Sequence, residues 1–298
     1  MMGHNLLNAD LDVFDSTRAV WVDGDKKIFP LDIKHALEKI GLKKGDIVMS
    51  HFDLGVIGKL GDIKDGDEFF NTVINTILAV VGSDGALIVP AFSYSFCRNE
   101  VFDIAHTVPT LGRMAQVAFK RYKENQGMAL RLPIFRSQDP VFSCIGFGRQ
   151  AGSICNDLGT SCFGENSVFG RLYRHDAKLM GFGFQFAPTY MHFPEQRFHE
   201  QKKPLSYRFM KAFKGRIIDA AGNSGDAEYT YFVRDVGRCV YDLKRLPLEL
   251  ERRSLLNKAA LGAGTITLAT ARDVHDTIFD MLDKDEFALL EQGRNSSL

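Results

Sequence analysis

The chain has 298 residues, 45% of them hydrophobic, and its 37 basic residues balance 37 acidic ones. A chain of this length can bury a large core. The balanced charge excludes a global field that attracts nucleic acid or an acidic membrane. The longest apolar runs, such as residues 73–81, are too short for membrane insertion. The N-terminal stretch MMGHNLLNADLD lacks a basic region followed by an apolar core, so we expect a cytoplasmic protein.

The first half of the chain alternates helical and strand patterns. Apolar residues at helical spacing, each run ended by a glycine, predict helices over residues 31–40 and 69–81. Short apolar runs predict buried strands over residues 47–51 and 86–90. Strand, helix and strand at this spacing indicate an α/β fold with a mainly parallel sheet that is covered on both faces.

The second half mixes helices with short strands. Pro109-Thr110 predicts a helix start, and residues 216–234 predict a hairpin around a turn at 221–225. Residues 271–290 predict a final amphipathic helix or a pair of helices. Apolar positions there, such as Ile278, Met281 and Leu282, either form a homodimer interface or pack internally. Without repeats or a low-complexity linker, we expect a single domain over residues 1–298.

The segment from residue 163 to residue 196 is the most informative for chemistry. An apolar run over residues 177–184 predicts a buried strand, residues 187–189 predict a loop, and Pro194 is placed in the first turn of a helix. This order brings His192 and Glu195 just beyond the end of the strand. An imidazole and a carboxylate there are positioned for proton transfer, which makes an enzyme the leading hypothesis.

Cysteines and paired histidines indicate no metal site. The five cysteines, Cys97, Cys144, Cys155, Cys162 and Cys239, are odd in number and lie in apolar surroundings. We expect small core residues without disulfides, and a nucleophilic cysteine near the histidine of the preceding segment stays open as an alternative. The spacing of cysteines matches no common zinc motif, and two histidines seven residues apart straddle a helix start.

Several further segments occur in a specific order. They are Gly45-Asp46-Ile47-Val48 to His51 with Leu54-Gly55, Val81-Gly82 through Pro90-Ala91-Phe92-Ser93-Tyr94-Ser95, Pro109-Thr110-Leu111-Gly112, Arg136-Ser137 with Pro140 and Ser143, Phe163-Gly164-Glu165 with Ser167 and Phe169-Gly170-Arg171-Leu172, and Thr189-x-x-His192-x-x-Glu195. In order and spacing these segments resemble the aminoglycoside 3-N-acetyltransferase family over nearly the whole chain. The resemblance implies a three-layer α/β/α fold with a central, mostly parallel or mixed sheet, unrelated to the GNAT acetyltransferases. It also implies an acetyl-CoA-dependent N-acetyltransferase.

The resemblance implies roles for individual residues. His192 is the expected general base for the acceptor amine, and Glu195 is expected to accept a hydrogen bond from its imidazole, with direct transfer and no acyl-enzyme. Acetyl-CoA is expected to bind along the loop after the first strand and at a helix start, where free N–H groups suit phosphates. These residues are His51, Phe52, Asp53, Leu54, Gly55, Thr110, Leu111 and Gly112.

The candidate substrate-binding residues are Tyr94, Arg136, Asp139 and Glu165. Arg136 pairs either with a phosphate or with a nearby acid. Asp139 stands where the family has a histidine, and it is a candidate for binding a substrate ammonium or hydroxyl groups. Phe52-Asp53 stands where the family has two serines.

Charge guides the expected acceptor. Aminoglycosides are polycations and favour an acid-rich site, whereas this chain is neutral and carries a basic segment over residues 197–216. The basic segment is either a solvated helix or a clamp for a phosphate-bearing substrate. We therefore expect a nucleotide-linked amino sugar of surface-polysaccharide synthesis as the acceptor. The alternatives are an aminoglycoside 3-N-acetyltransferase that confers antibiotic resistance and a non-catalytic CoA- or sugar-binding protein.

Overall fold

The computed structural model describes residues 17–125, 132–183, 186, 188–235 and 239–291. In chain order the strands are β1 (Trp21–Asp23), β2 (Lys26–Ile28), β3 (Ile47–Phe52), β4 (Lys59–Leu60), β5 (Ala86–Pro90), β6 (Phe102–Asp103), β7 (Ile134–Arg136), β8 (Cys144–Phe147), β9 (Lys178–Phe182), β10 (Arg208–Ile218), β11 (Ser224–Arg234), β12 (Asn257–Leu261) and β13 (Gly264–Thr270). The helices are α1 (Pro30–Lys39), α2 (Gly66–Val81), α3 (Arg113–Glu124), α4 (Ala151–Cys155), α5 (Val168–Arg174), α6 (His192–Gln201), α7 (Arg245–Arg252) and α8 (Ala271–Lys284). Short 3-10 turns cover Leu54–Val56, Phe96–Arg98 and Thr189–Met191.

The main sheet has seven strands in the order β12-β13-β9-β3-β5-β8-β7. The central pairs, β3 with β5 and β3 with β9, are parallel. The flanking pairs are antiparallel. The sheet is therefore mixed, as the resemblance allowed, with a parallel centre and antiparallel flanks. The mainly parallel sheet that the strand–helix–strand pattern indicated is wrong, because that pattern extends only over β3, α2 and β5.

Side chains of the central strands alternate between two buried clusters, as the twofold repeat of a strand requires. In β3, Ile47 and Met49 join one cluster and Val48 joins the other, and in β5 Ile88 and Leu87 divide in the same way. Helices α1, α2 and α3 contribute to the cluster of Val48, and helices α4 to α8 contribute to the cluster of Met49. The predicted three-layer α/β/α architecture is confirmed.

A long hairpin stands beside the main sheet. Strands β10 and β11 have 11 residues each and pair antiparallel along their whole length, and β10 also pairs with β6. The turn covers residues 219–223 and overlaps the predicted turn at 221–225, but the first strand begins at Arg208 rather than at residue 216. The prediction was wrong because most side chains of β10 are exposed, so the strand shows no alternation of apolar and polar residues.

Helix α3 begins at Arg113, so the predicted start at Thr110 is wrong by one turn. The backbone N–H of Thr110 donates to the carbonyl of Phe92 at 2.9 Å, and its hydroxyl donates to the same carbonyl at 3.1 Å. These bonds hold Thr110 in the loop. Gly112, with φ of 12° and ψ of −179°, is the residue before the helix.

The last helix ends earlier than predicted. Helix α8 stops at Lys284, and Leu290 forms a β-bridge with Tyr241. Ile278 and Leu282 of α8 are fully buried in the core, and Met281 packs against the same core. These positions therefore pack internally.

Parts of the predicted elements lie outside the described residues, namely Phe184 of the predicted strand, Ala187 of the predicted loop and the N-terminal stretch. Within the described ranges, no helix has the length and apolar character needed to cross a membrane.

Candidate active site

The candidate site lies where the parallel strands β3 and β9 end. His51, near the end of β3, pairs in register with Gly181 of β9. After β9 the chain forms the turn Thr189–Met191 and enters helix α6 at His192. The carboxyl ends of parallel strands lie at one edge of a sheet, where α/β enzymes place their ligands. The sheet therefore brings His51 and the segment before His192 together.

His192 and Glu195 form a hydrogen-bonded pair within the first turn of α6. The Nδ1 atom of His192 lies 3.0 Å from Oε2 of Glu195. The side chain of Glu195 is fully buried, whereas that of His192 keeps 17% of its surface exposed. The imidazole packs edge-on against Phe163, with ring centroids 5.3 Å apart. Within the described residues Nε2 of His192 has no hydrogen-bond partner, so this nitrogen is free to face a substrate.

Glu195 is surrounded by donors from the start of the hairpin, the residue before it and the segment after it. Nη2 of Arg208 lies 3.0 Å from Oε2, the hydroxyl of Tyr207 donates to Oε1 at 2.8 Å, and the hydroxyl of Tyr241 lies 2.8 Å from each carboxylate oxygen. Burial alone opposes ionisation, but the charge of Arg208 and the donated hydrogen bonds outweigh it. The pKa of Glu195 therefore lies below its ordinary value, and the group is an ionised carboxylate.

His192 is a neutral imidazole at physiological pH. Desolvation by burial and the nearby charge of Arg208 lower its pKa to about 4, although Glu195 acts in the opposite direction. Nη2 of Arg208 also lies 2.5 Å from Nδ1 of His192. Both nitrogens lie within hydrogen-bond distance of the same carboxylate oxygen, Oε2 of Glu195. The ionised carboxylate is the stronger acceptor, and we therefore assign both N–H groups to Oε2 of Glu195. This assignment leaves the lone pair of His192 on Nε2.

His51 is a second neutral histidine at the same edge. Its Nε2 lies 3.2 Å from Oγ1 of Thr189, and desolvation by burial lowers its pKa to about 4. Thr189 opens the turn that leads to His192. The two histidines are thus linked through one short segment of backbone.

A cleft of about 410 Å³ opens at the ends of β3 and β5. The lining includes seven of the eight residues that the sequence predicted for acetyl-CoA, namely His51, Phe52, Asp53, Leu54, Gly55, Leu111 and Gly112. Arg113, Met114 and Ala115, in the first turn of α3, also line the cleft. The N-terminal end of a helix presents free N–H groups and favours negative charge. Thr110 is not part of the lining, because it is held in the loop behind.

Gly183 keeps the end of β9 close to the cleft loop. Its φ is +92°, and a Cβ atom there would lie 2.1 Å from the carbonyl oxygen of Asp53. The backbone of Asp53 in turn donates to the carbonyl of Phe182 at 2.9 Å. A glycine at this position is therefore what allows β9 to approach the loop 52–55.

Arg136 and Asp139, two of the candidate substrate residues, are buried. Nη1 of Arg136 donates to the carbonyl of Ile104 at 2.8 Å, and its guanidinium lies over the ring of Phe119. Burial lowers the pKa of Arg136 to about 10. Asp139 accepts the backbone N–H groups of Val141 and Phe142 at 2.8 Å each, and burial raises its pKa despite these bonds. Asp139 therefore supports the loop between β7 and β8. Arg136 instead joins the segment after β6 to helix α3, and it forms no ion pair with an acid among the described residues.

Tyr94 and Glu165, the other two candidates, lie elsewhere. Tyr94 has a positive φ of 53° and packs against Phe142, and burial raises its pKa to about 12. Glu165 is half exposed and forms an ion pair with Arg197 at 3.2 Å. Neither residue contacts His192 in the described structure, so their assignment to a substrate stays a prediction.

The basic segment divides into residues with separate partners. Arg197 pairs with Glu165, and Arg208 is buried on Glu195. Lys214 and Arg216 are exposed on β10 and pair across the hairpin with acidic residues of β11. The segment is therefore not a continuous solvated helix. Its three remaining lysines, Lys202, Lys203 and Lys211, are exposed and form no ion pair with another described residue.

The cysteines fit the core interpretation. Cys144, Cys155, Cys162 and Cys239 are buried, Cys97 is partly buried, and none of these five described cysteines forms a disulfide. Burial raises the pKa of Cys155 to about 12 and raises those of Cys144 and Cys162 as well. These thiols stay protonated, which disfavours a nucleophilic role. No group of three or more potential metal ligands occurs among the described residues.

Sequence reasoning missed Arg208, Tyr207 and Tyr241. Arg208 was treated as one of many basic residues, because the strand that begins with it shows no alternation of apolar and polar residues. Tyr241 contacts Glu195 across 46 positions of sequence. Thr189 was noted only as part of a motif, and no local pattern indicates its contact with His51.

The three-layer α/β/α fold holds a hydrogen-bonded His–Glu pair at the start of α6, just after Thr189, and Thr189 contacts His51 of the cleft lining. This arrangement is suited to general-base chemistry. A sequence model of the aminoglycoside 3-N-acetyltransferase family matches residues 49–283, and the chain belongs to this family. Membership confirms the predicted family, the predicted enzyme class, an acetyl-CoA-dependent N-acetyltransferase, and acetyl-CoA as co-substrate.

Relatives and solved structures agree with this result. The chain is 26% identical over 242 residues to the SPbeta prophage-derived aminoglycoside N(3')-acetyltransferase-like protein YokD of Bacillus subtilis strain 168, covering 69% of this chain and 83% of YokD. The structure of AAC-IIIb in a binary complex with CoASH superposes with a TM-score of 0.66 at 17% identity, covering 86% of this chain and 96% of AAC-IIIb. The structure of AAC-VIa bound to sisomicin gives a TM-score of 0.67 at 17% identity, covering 86% and 97% of the two chains. At these identities the two structures show a shared fold.

Proposed function

We propose that this chain transfers the acetyl group of acetyl-CoA to an amine of an aminoglycoside-type amino sugar, with His192 as the general base. The observation that supports this proposal is the neutral imidazole of His192, whose Nδ1 is bonded to a buried carboxylate at 3.0 Å. This arrangement leaves Nε2 as an acceptor.

The proposed reaction is a direct transfer. The amine nitrogen attacks the thioester carbonyl carbon, a C–N bond forms, and the C–S bond then breaks to release the CoA thiolate. The attacking nitrogen becomes acidic as it bonds to carbon, so an imidazole with a pKa of about 4 can take its proton. The carboxylate of Glu195 stabilises the imidazolium that forms. Glu195 stays ionised because Arg208 is its partner.

The acceptor is assigned from family membership and from the ion pairs that the basic segment over residues 197–216 forms. The expectation of a nucleotide-linked amino sugar rested on free cations in the basic segment. Arg197 and Arg208 are engaged with carboxylates, and Lys214 and Arg216 pair across the hairpin, so four of the seven cations in the segment no longer support that expectation. Family membership and the sisomicin complex of AAC-VIa favour an aminoglycoside-type acceptor. We also infer that the chain forms one acetyltransferase domain, since both buried clusters pack on the same sheet.

Thiol release from acetyl-CoA by the purified protein tests the proposal. Aminoglycosides and nucleotide-linked amino sugars are compared side by side, and we expect turnover with the aminoglycosides. His192→Ala should lower kcat by about 10²- to 10⁴-fold, the usual contribution of a general base. His106→Ala is the matched control, because His106 is an exposed histidine that contacts Asp103 outside the site.

Two outcomes contradict the proposal. Near-full activity of the His192→Ala protein on the best acceptor removes His192 from the role of base. Tight binding of CoA without thioester consumption on any acceptor makes the chain a binding protein instead of an enzyme.

A further inference from the structure

His51 has a contact that determines where its proton resides. Its Nε2 lies 3.2 Å from the hydroxyl oxygen of Thr189 and 3.5 Å from the backbone nitrogen of the same residue. A backbone N–H can only donate. We therefore assign the acceptor role to Nε2 and the single proton of the neutral ring to Nδ1.

The remaining N–H group of His51 is available to a ligand. Within the described residues Nδ1 of His51 has no hydrogen-bond partner, and His51 lines the cleft together with the first turn of α3. Burial lowers the pKa of His51 to about 4, so the ring stays neutral when the cleft is occupied. A neutral imidazole in such surroundings is a good hydrogen-bond donor to a carbonyl that gains negative charge, as in triosephosphate isomerase.

The reaction requires such a donor. When the amine attacks the thioester carbonyl, the π electron pair moves to the carbonyl oxygen, and it returns when the C–S bond breaks. We propose that the Nδ1–H of His51 donates a hydrogen bond to this oxygen and stabilises its negative charge, while His192 takes the proton of the amine. The inference rests on the proposed function for the identity of the thioester reaction. It makes His51 a catalytic residue in addition to a lining residue.

A structural role is the competing explanation. His51 could serve only to hold Thr189, and through it the turn before His192. The two roles use opposite nitrogens of the ring, Nε2 for the contact with Thr189 and Nδ1 for the ligand. Substitutions that keep one nitrogen's function and remove the other therefore separate them.

His51→Gln and His51→Asn form a matched pair of variants. The amide oxygen of glutamine reaches the position of Nε2 and can still accept from Thr189, but it leaves no donor at the position of Nδ1. The amide of asparagine places an N–H near the position of Nδ1 and loses the contact with Thr189. If His51 stabilises the oxyanion, kcat falls by about 10²- to 10³-fold in His51→Gln and clearly less in His51→Asn. The dissociation constant for acetyl-CoA, measured by calorimetry, should change less than about threefold in His51→Gln.

A measurement without any acceptor separates this inference from the proposed function. The ¹³C resonance of [1-¹³C]acetyl-CoA reports the polarisation of its carbonyl, and it should shift downfield on binding to the wild-type protein. The shift should be retained in His192→Ala and lost in His51→Gln. If no acceptor is turned over but the shift behaves in this way, the proposed acceptor is wrong and the role of His51 stands.

The reverse pattern overturns the inference. An active His51→Gln protein with an inactive His51→Asn protein assigns His51 to the support of Thr189. A ¹³C carbonyl resonance of bound acetyl-CoA that is the same in His51→Gln and in the wild type would also assign His51 to the support of Thr189. If the asparagine variant does not fold, the glutamine variant decides the question alone, because it keeps the Thr189 contact.

Discussion

Glu195 accepts hydrogen bonds from His192, Arg208, Tyr207 and Tyr241 although its own side chain is fully buried. A lone buried carboxylate would take up a proton. Here the guanidinium of Arg208 compensates the charge, and the hydroxyl groups occupy the remaining lone pairs. His192 therefore faces an ion pair without net charge. Desolvation by burial, together with the charge of Arg208, outweighs the effect of the carboxylate and keeps the pKa of the imidazole below its ordinary value.

The pH dependence of catalysis follows from this arrangement. Only the neutral form of His192 can act as a base, so activity is lost as the pH falls through its pKa of about 4 and not near 6.5. Arg208→Met removes a charge that lowers this pKa, so the acid limb of kcat/KM should move to higher pH. Arg208→Lys keeps the charge and should leave the limb close to that of the wild type.

The pH profile of kcat/KM for the three proteins is the measurement. An acid limb at the same pH in Arg208→Met and Arg208→Lys would show that the charge of Arg208 does not act on His192. A uniform drop of the whole profile in both variants would assign Arg208 to packing alone.

The sequence allowed His192 and Glu195 to be found, because a spacing of three residues in one helical turn brings side chains together. The other donors come from distant positions. Tyr207 lies 12 positions and Tyr241 46 positions from Glu195. No local pattern reports such contacts, since they depend on how the segments on either side of the hairpin pack against α6.

The hairpin of β10 and β11 is largely exposed along β10, but its first residue reaches the candidate active site. Arg208 opens β10, and the hairpin contacts the core through Gly215, which faces the buried ring of Phe96. Sequence patterning located only the turn of this hairpin. The packing of a glycine against an aromatic ring leaves no apolar alternation in the strand, so its full length could not be predicted.

Gly215→Ala should destabilise the protein. The added Cβ would lie 2.6 Å from a ring carbon of Phe96, and overpacking of this kind costs about 1–3 kcal/mol. Gly225→Ala is the matched control in the partner strand, since nothing lies within 4 Å of a Cβ there. Urea unfolding of both variants gives the free energies of unfolding. Equal values for the two variants would mean that the hairpin moves away from Phe96 at no cost.

The sheet as a whole explains which parts of the topology were predictable. The parallel centre follows from β3, α2 and β5, which are neighbours in sequence and separated by a crossover helix. The pairs β12–β13 and β7–β8 join neighbours in sequence, whereas β13–β9 and β5–β8 join distant segments. Strand β13 lies beside β9, and its partner β12 has only five residues. The antiparallel pairs with β9 and β5 therefore emerge only in the folded structure.

Both buried histidines couple the stability of the whole molecule to pH. His51 and His192 have pKa values of about 4 in the folded protein, against about 6.5 in an unfolded chain. Between these values the unfolded state binds more protons, so stability falls as the pH decreases through that window. Each histidine contributes up to about 1.4 kcal/mol per pH unit.

The free energy of urea unfolding at pH 7, 6 and 5 measures this slope. The double variant His51→Gln/His192→Gln should lose much less stability over this range than the wild type, because it lacks two of the titrating groups. A shallower slope should remain, since burial also lowers the pKa of His275. Glu195 contributes little here, because a carboxyl with a lowered pKa loses its stabilising effect only below its ordinary value of 4.5. Parallel slopes in the two proteins would mean that the site admits protons without unfolding, and the acid limb of catalysis would then lie near 6.5.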